Sequence, residues 1–194
     1  VTHLAQTLAN GSHIYRTTSK LVFQDEQGRF RMEAMDGRQV VIQDTVAMVI
    51  YNIDREQRTA RRIRMGPTAV TMAQRIAGDV SPVEEARAVA RRIPNNLVED
   101  LGSRFINGVM ALGVRVTTTI PTGAIGNDQE LKSVEERWYS NDIHALVRTV
   151  TTDPRIGVAT YELTHIVRSA PDPALFQVPA GFAVTTVDNA PPPQ

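Results

Sequence analysis

The first third of the chain reads as a β-meander of β-branched and apolar stretches set off by turns, with apolar and polar positions alternating over Arg29 to Met35 at the period of two of a strand that buries one face. Val1 opens at once on strand-like sequence. His13 to Phe23 mixes Ile14, Tyr15, Thr17, Thr18, Leu21, Val22 and Phe23 between Asn10-Gly11 and Asp25-Glu26-Gln27-Gly28, which predicts one long strand between two turns. From Arg29 to Met35, the residues Arg29, Arg31 and Glu33 alternate with Phe30, Met32 and Ala34, a strand with one wet and one buried face. Asp36-Gly37 turns the chain into Gln39 to Gln43, Thr45 to Ile53 follows, and Asp54 to Gln57 leads into Arg58 to Met65. The prediction is a meander of six antiparallel strands by residue 65.

The pattern changes at Gly66-Pro67. Residues 68–93 are rich in Ala and Arg, and Ser81-Pro82-Val83-Glu84 reads as a helix start with Ser81 as N-cap and Pro82 in the first helical position. Val83, Ala86, Ala90 and Ile93 repeat near helical spacing, and Pro94 sets the stop. This gives one helix there and a weaker one over Val70 to Ile76. Strand patterns then return. Asn107-Gly108 between Phe105-Ile106 and Val109-Met110 is a hairpin signal, followed by strands over Val109 to Ile120, Leu131 to Tyr139, Ala145 to Thr151 and Val158 to Arg168. Pro171 to Pro179 reads as loop, and residues 189–194 as a Pro-rich tail.

The predicted fold is therefore mainly β (α+β): one domain over residues 1–188, a curved antiparallel sheet or half-barrel of about ten strands, with the one or two helices of the insert on its concave face. So long a sheet cannot leave both faces wet, and the insert is the helical material available to cover one.

Composition narrows the function. With 42% hydrophobic and 22% charged residues among 194, the chain is neither disordered nor collagen-like. Lys plus Arg balance Asp plus Glu at 21 each, so no global charge draws it to nucleic acid. The absence of cysteine removes thiolate catalysis, cysteine-ligated metals and disulfides. Apolar runs such as Val46 to Tyr51 are far shorter than the roughly 18 residues of a membrane-spanning helix. The N-terminus, lacking Met and a basic-then-apolar leader, reads as trimmed by a signal peptidase or by the choice of expressed segment.

Local chemistry is sparse. His3, His13, His144 and His165 lack metal-ligand spacing, and no serine-nucleophile elbow is present. The neighbours Glu84-Glu85, Glu99-Asp100 and Glu135-Glu136 read as caps or solvated edges, because adjacent strand residues point to opposite faces. Gly123 to Asp128 lacks the Lys-Ser/Thr end of a phosphate loop. Arg58, Arg62 and Arg64 would share one strand face, either protecting a sheet edge or forming a basic wall for a partner polypeptide, with Arg61 and Ile63 opposite.

Ile106-Asn107-Gly108-Val109, Thr117-Thr118-Thr119-Ile120-Pro121, Glu136-Arg137-Trp138-Tyr139-Ser140, Asp153-Pro154-Arg155 and Leu175-Phe176-Gln177-Val178-Pro179 resemble uncharacterised secreted proteins of environmental bacteria. The strand order, the helical insert and the closing Leu-Phe-x-Val-Pro resemble more distantly the periplasmic lipoprotein-carrier (LolA/RseB-like) superfamily. That resemblance implies a curved sheet closed by helices over an apolar cavity for acyl chains. The expected function is thus a non-catalytic, periplasmic or secreted binding or carrier module for a lipid or lipoprotein acyl chain, with no cofactor. The alternative is a sensor or interaction module that binds a partner polypeptide of the envelope at a sheet edge or at Arg58, Arg62 and Arg64. The expected cavity lining is Phe30, Met32, Ile50, Val83, Ala86, Ile93, Val116 and Trp138, with Trp138 facing the sheet–helix space and Glu136 near its rim. A dry, filled core is the competing reading of the same residues.

Overall fold

A computed structural model describes residues 1–8, 10–66, 84, 88–89, 92–93 and 95–187. Its strands are β1 (Thr2–Thr7), β2 (His13–Thr18), β3 (Lys20–Gln24), β4 (Phe30–Ala34), β5 (Gln39–Asp44), β6 (Val49–Asp54), β7 (Thr59–Arg64), β8 (Asn96–Ile106), β9 (Val109–Ile120), β10 (Leu131–Ser140), β11 (Ala145–Asp153), β12 (Gly157–Glu162) and β13 (Ala183–Val187). One 3-10 turn, Pro173–Phe176, precedes β13.

The chain divides into two compact units, Val1–Thr18 with Asp79–Val167 and Ser19–Gly78 with Arg168–Gln194. The first holds a seven-stranded sheet in the order β2-β1-β12-β11-β10-β9-β8, and the second a six-stranded sheet in the order β13-β7-β6-β5-β4-β3. Neighbours are antiparallel except β13, which runs parallel to β7.

The mainly-β class stands, and the single sheet of about ten strands is corrected to two sheets. The expected long strand His13 to Phe23 breaks at Ser19: β2 pairs with β1 in one sheet, and β3 pairs with β4 in the other. The helical insert lies outside the described residues apart from Glu84, Ala88 and Val89, which are helical, and Arg92 and Ile93, which lie in a turn and bend. The tail 189–194 also lies outside them.

Turn chemistry fixes the hairpins. Asn107 (φ 48°) and Gly108 (φ 87°) both take the left-handed conformation that a tight β8–β9 connection requires. At the β3–β4 turn, the Asp25 carboxylate accepts from the Gln27 and Arg29 N–H groups and pairs with the Arg29 guanidinium at 2.6 Å.

In the six-stranded sheet, Val40, Ile42, Ile53 and Ala60 are fully buried on one face, and Phe176 from the 3-10 turn plugs them, flanked by Phe23, Tyr51, Leu175, Val178 and Phe182. Burial of each large aliphatic here is worth about 1.5–3 kcal/mol. In the seven-stranded sheet, Ile106, Val109, Ala111, Trp138 and Val147 form one cluster beneath Leu101, Ile143, Leu163 and Ile166. Val114, with Val98 and Val116, forms another.

Candidate functional site

Cross-strand register sorts the six-stranded sheet into two faces. Glu33 opposes Val40, Val40 opposes Ile53, and Ile53 opposes Ala60, which places all of them on the plugged face. The outer face then carries Phe30 and Met32 from β4, Val41 from β5, Ile50 from β6 and Ile63 from β7. These five are half-buried, and among the described residues none enters a buried cluster. Val22 on β3, opposite Met32, and Val187 on β13, opposite Ile63, extend the band to both edge strands.

On β4 the polar members of the alternation, expected in water, are the buried ones: Arg31 is 3% exposed and Glu33 8%. They survive burial because they neutralise each other. Arg31 Nε meets Glu33 Oε1 at 2.6 Å, Arg31 Nη1 donates to the Leu175 carbonyl at 2.6 Å, and Arg55 reaches Glu33 at 3.4 Å. The Leu175 carbonyl belongs to the segment that plugs the core, so this ion pair tethers the plug.

The basic stretch behaves differently from its expectation. Arg58 lies in the turn before β7 with φ 52°, its guanidinium 5.9 Å from the Phe182 ring, so it does not share a strand face with Arg62 and Arg64. Those two stand on the plugged face beside Tyr51 and Val49, and Arg61 and Ile63 on the outer one. Nor does β7 form an edge, because β13 covers its free side.

The remaining expected lining residues are scattered. Trp138 on β10 opposes Gly113 on β9, and Val116 opposes Glu135, so Trp138 and Val116 leave opposite faces of the seven-stranded sheet and cannot line one cavity wall. Trp138 is 5% exposed, with the Arg104 guanidinium 5.2 Å above its ring. Its indole N–H and the Ser140 hydroxyl, two residues on, have no hydrogen-bond partner among the described residues. Glu136 shares the Trp138 face and pairs with Arg115 at 2.7 Å, while Glu135 pairs with Arg137 at 2.8 Å on the other. Ile93 is exposed, and Val83 and Ala86 lie outside the described residues.

Acid–base chemistry finds little purchase. The Asp153 carboxyl is held well below the usual carboxylate range by hydrogen bonds from the Arg155 guanidinium, opposed by desolvation and reinforced by the Arg155 N–H and the Ser133 hydroxyl. Burial pushes the Tyr161 hydroxyl up. No cluster of His, Asp and Glu fit to hold a metal occurs among the described residues. His3 and His13 instead meet the Thr17 and Thr7 hydroxyls.

Sequence reasoning missed Val41 and Ile63 as members of the outer band. Ile63 had a signal, its alternation with Arg62 and Arg64, but the density of arginines around it obscured that signal. Val41 sits in an apolar run, Val40-Val41-Ile42, in which periodicity cannot assign faces.

No protein-family model and no curated protein matches the chain. Similar solved structures include an uncharacterized conserved protein from Thermus thermophilus, 11% identical, covering 96% of this chain and 90% of that one, at a TM-score of 0.46. The Pseudomonas aeruginosa MucA/MucB complex is 16% identical over 96% of this chain and 57% of the matched one, at 0.47. A LolA superfamily protein from Nitrosomonas europaea is 12% identical over 91% and 88%, at 0.34. The superfamily that the closing Leu-Phe-x-Val-Pro resembles is thus represented among them, and at these TM-scores the likenesses assign no activity.

Proposed function

We propose that this chain is a non-catalytic binding module of the bacterial envelope that takes an acyl chain on the outer face of its six-stranded sheet. One observation carries the reading. The sheet already has a core on its plugged face, yet its other face presents an apolar band, Phe30, Met32, Val41, Ile50 and Ile63, interrupted in one row by Gln43, that belongs to no buried cluster among the described residues. A sheet face that served only solubility would alternate to polar side chains there. Extended hydrocarbon suits such a band, since it needs apolar area and no directional partner. The periplasmic or secreted placement follows the sequence resemblance. Mass spectrometry of lipids extracted from the purified protein tests the reading: acyl lipids enriched over a control protein support it, and no enrichment removes it.

A second reading, capture of an extended partner polypeptide, is favoured by β2. This strand ends its sheet, all six of its residues are exposed, and Tyr15 is 76% exposed. Replacing Ile14 and Tyr15 by Lys is expected to abolish partner pull-down, and unchanged pull-down refutes that placement.

A further inference from the structure

The outer band is flanked by a row of hydrogen-bond donors that an acyl chain alone leaves unused. Asn52 on β6, Arg61 on β7 and Thr185 on β13 are partners in one register, so their side chains leave the sheet on the same side, about 5 Å apart from strand to strand. All three are exposed. The row runs on into Val41, the partner of Asn52, and the adjacent row along the same three strands is Ile50, Ile63 and Val187. Donor row and apolar row are therefore side by side on one face.

The Arg61 side chain makes no ion pair or hydrogen bond among the described residues, whereas those of Arg29, Arg31, Arg38 and Arg55 of the same unit each meet a carboxylate. Asp54, on this face in the next row, is engaged, accepting from the Gln57 N–H at 2.9 Å and from Gln39 Nε2 at 3.0 Å. A guanidinium offers five donors and no acceptor, and the Asn amide and Thr hydroxyl can add three more donors. A cation that meets no carboxylate among the described residues, with neutral donors on either side, complements a single negative charge.

We propose that Arg61, with Asn52 and Thr185, binds the monoanionic head of an acyl ligand whose chain lies along Ile50, Ile63 and the band beyond. The inference rests on the acyl-binding reading and adds head-group selectivity to it. Calorimetric titration of the full chain with dodecanoate and with dodecanol at neutral pH separates the two. The wild type is expected to bind dodecanoate about tenfold more tightly, the worth of one hydrogen bond to a charged group. Arg61→Gln is expected to abolish that preference while changing dodecanol affinity by less than about twofold. Because the Arg61 side chain is exposed and meets no partner among the described residues, the substitution is expected to leave the fold intact, which circular dichroism checks. Equal affinities in the wild type, or a preference that survives Arg61→Gln, overturn the head-group site and leave the acyl site standing. Binding of neither ligand overturns both.

Discussion

At the scale of single residues, close approach sets the strongest constraint at Gly113. A Cβ built there would lie 2.6 Å from the Trp138 ring, and no shift of a flexible side-chain end can relieve it, because Trp138 is packed among Ile106, Val109, Ala111 and Val147. Gly113→Ala is expected to destabilise the protein by about 1–3 kcal/mol through overpacking, read as a lowered midpoint in chemical denaturation with Trp138 fluorescence as the probe. An unchanged midpoint would show that the indole is not seated on the glycine. Asp153 gives a pH signature. Its folded-state value lies below the ordinary Asp value near 3.9, so its stabilisation is complete above that pH and is lost as pH falls towards the folded value. Asp153→Asn should therefore cost about 2 kcal/mol at neutral pH, and the Tm gap to the wild type should narrow as pH drops below about 4. A gap that stays constant down to about pH 2 contradicts this assignment.

At the scale of elements, strands with tight turns and two-residue alternation were legible, and those with long-range partners were not. Val109–Ile120 was read to the residue, because Asn107-Gly108 fixes its start and Pro121 its end. Asn96–Ile106 was largely missed, since Glu99, Asp100 and Gly102 interrupt its apolar pattern at a register shift. Ala183–Val187 was missed because five exposed or half-buried residues acquire strand geometry only by pairing with β7, distant in sequence. On β4 the period was right and the wet face wrong: Arg31 and Glu33 lie inside because the Leu175 carbonyl, 144 residues away from Arg31, supplies the partner that alternation cannot reveal. The plug itself is testable. Phe176 is fully buried against Val40, Ile42, Ile53 and Ala60, and Phe176→Ala is expected to cost about 3 kcal/mol or more, with increased binding of a hydrophobic dye. A loss below about 1 kcal/mol would mean that Phe176 does not close this core.

At the scale of the whole molecule, the mainly-β class followed from strand patterns spread along the chain, whereas the partition into two sheets did not. Nothing in the β-branched and aromatic composition of His13 to Phe23 marks Ser19 as a boundary; the break exists because β1 and β4 recruit the two halves to different sheets. The candidate site was half legible for the same reason. Phe30, Met32 and Ile50 do share one face, but only register joins them to Val41 and Ile63 and sends Trp138 and Val116 to opposite faces of the other sheet. The central claim is that the outer band of the six-stranded sheet holds an acyl chain. Its most direct test is titration of a fluorescent fatty acid into the wild type and into the Met32→Gln, Ile63→Thr double variant, chosen to keep the length of the first side chain and the β-branching of the second while removing apolar surface, with circular dichroism confirming the sheet. Loss of two apolar groups from the band should weaken binding by about tenfold or more. Saturable binding of the same affinity in a folded double variant would contradict the account.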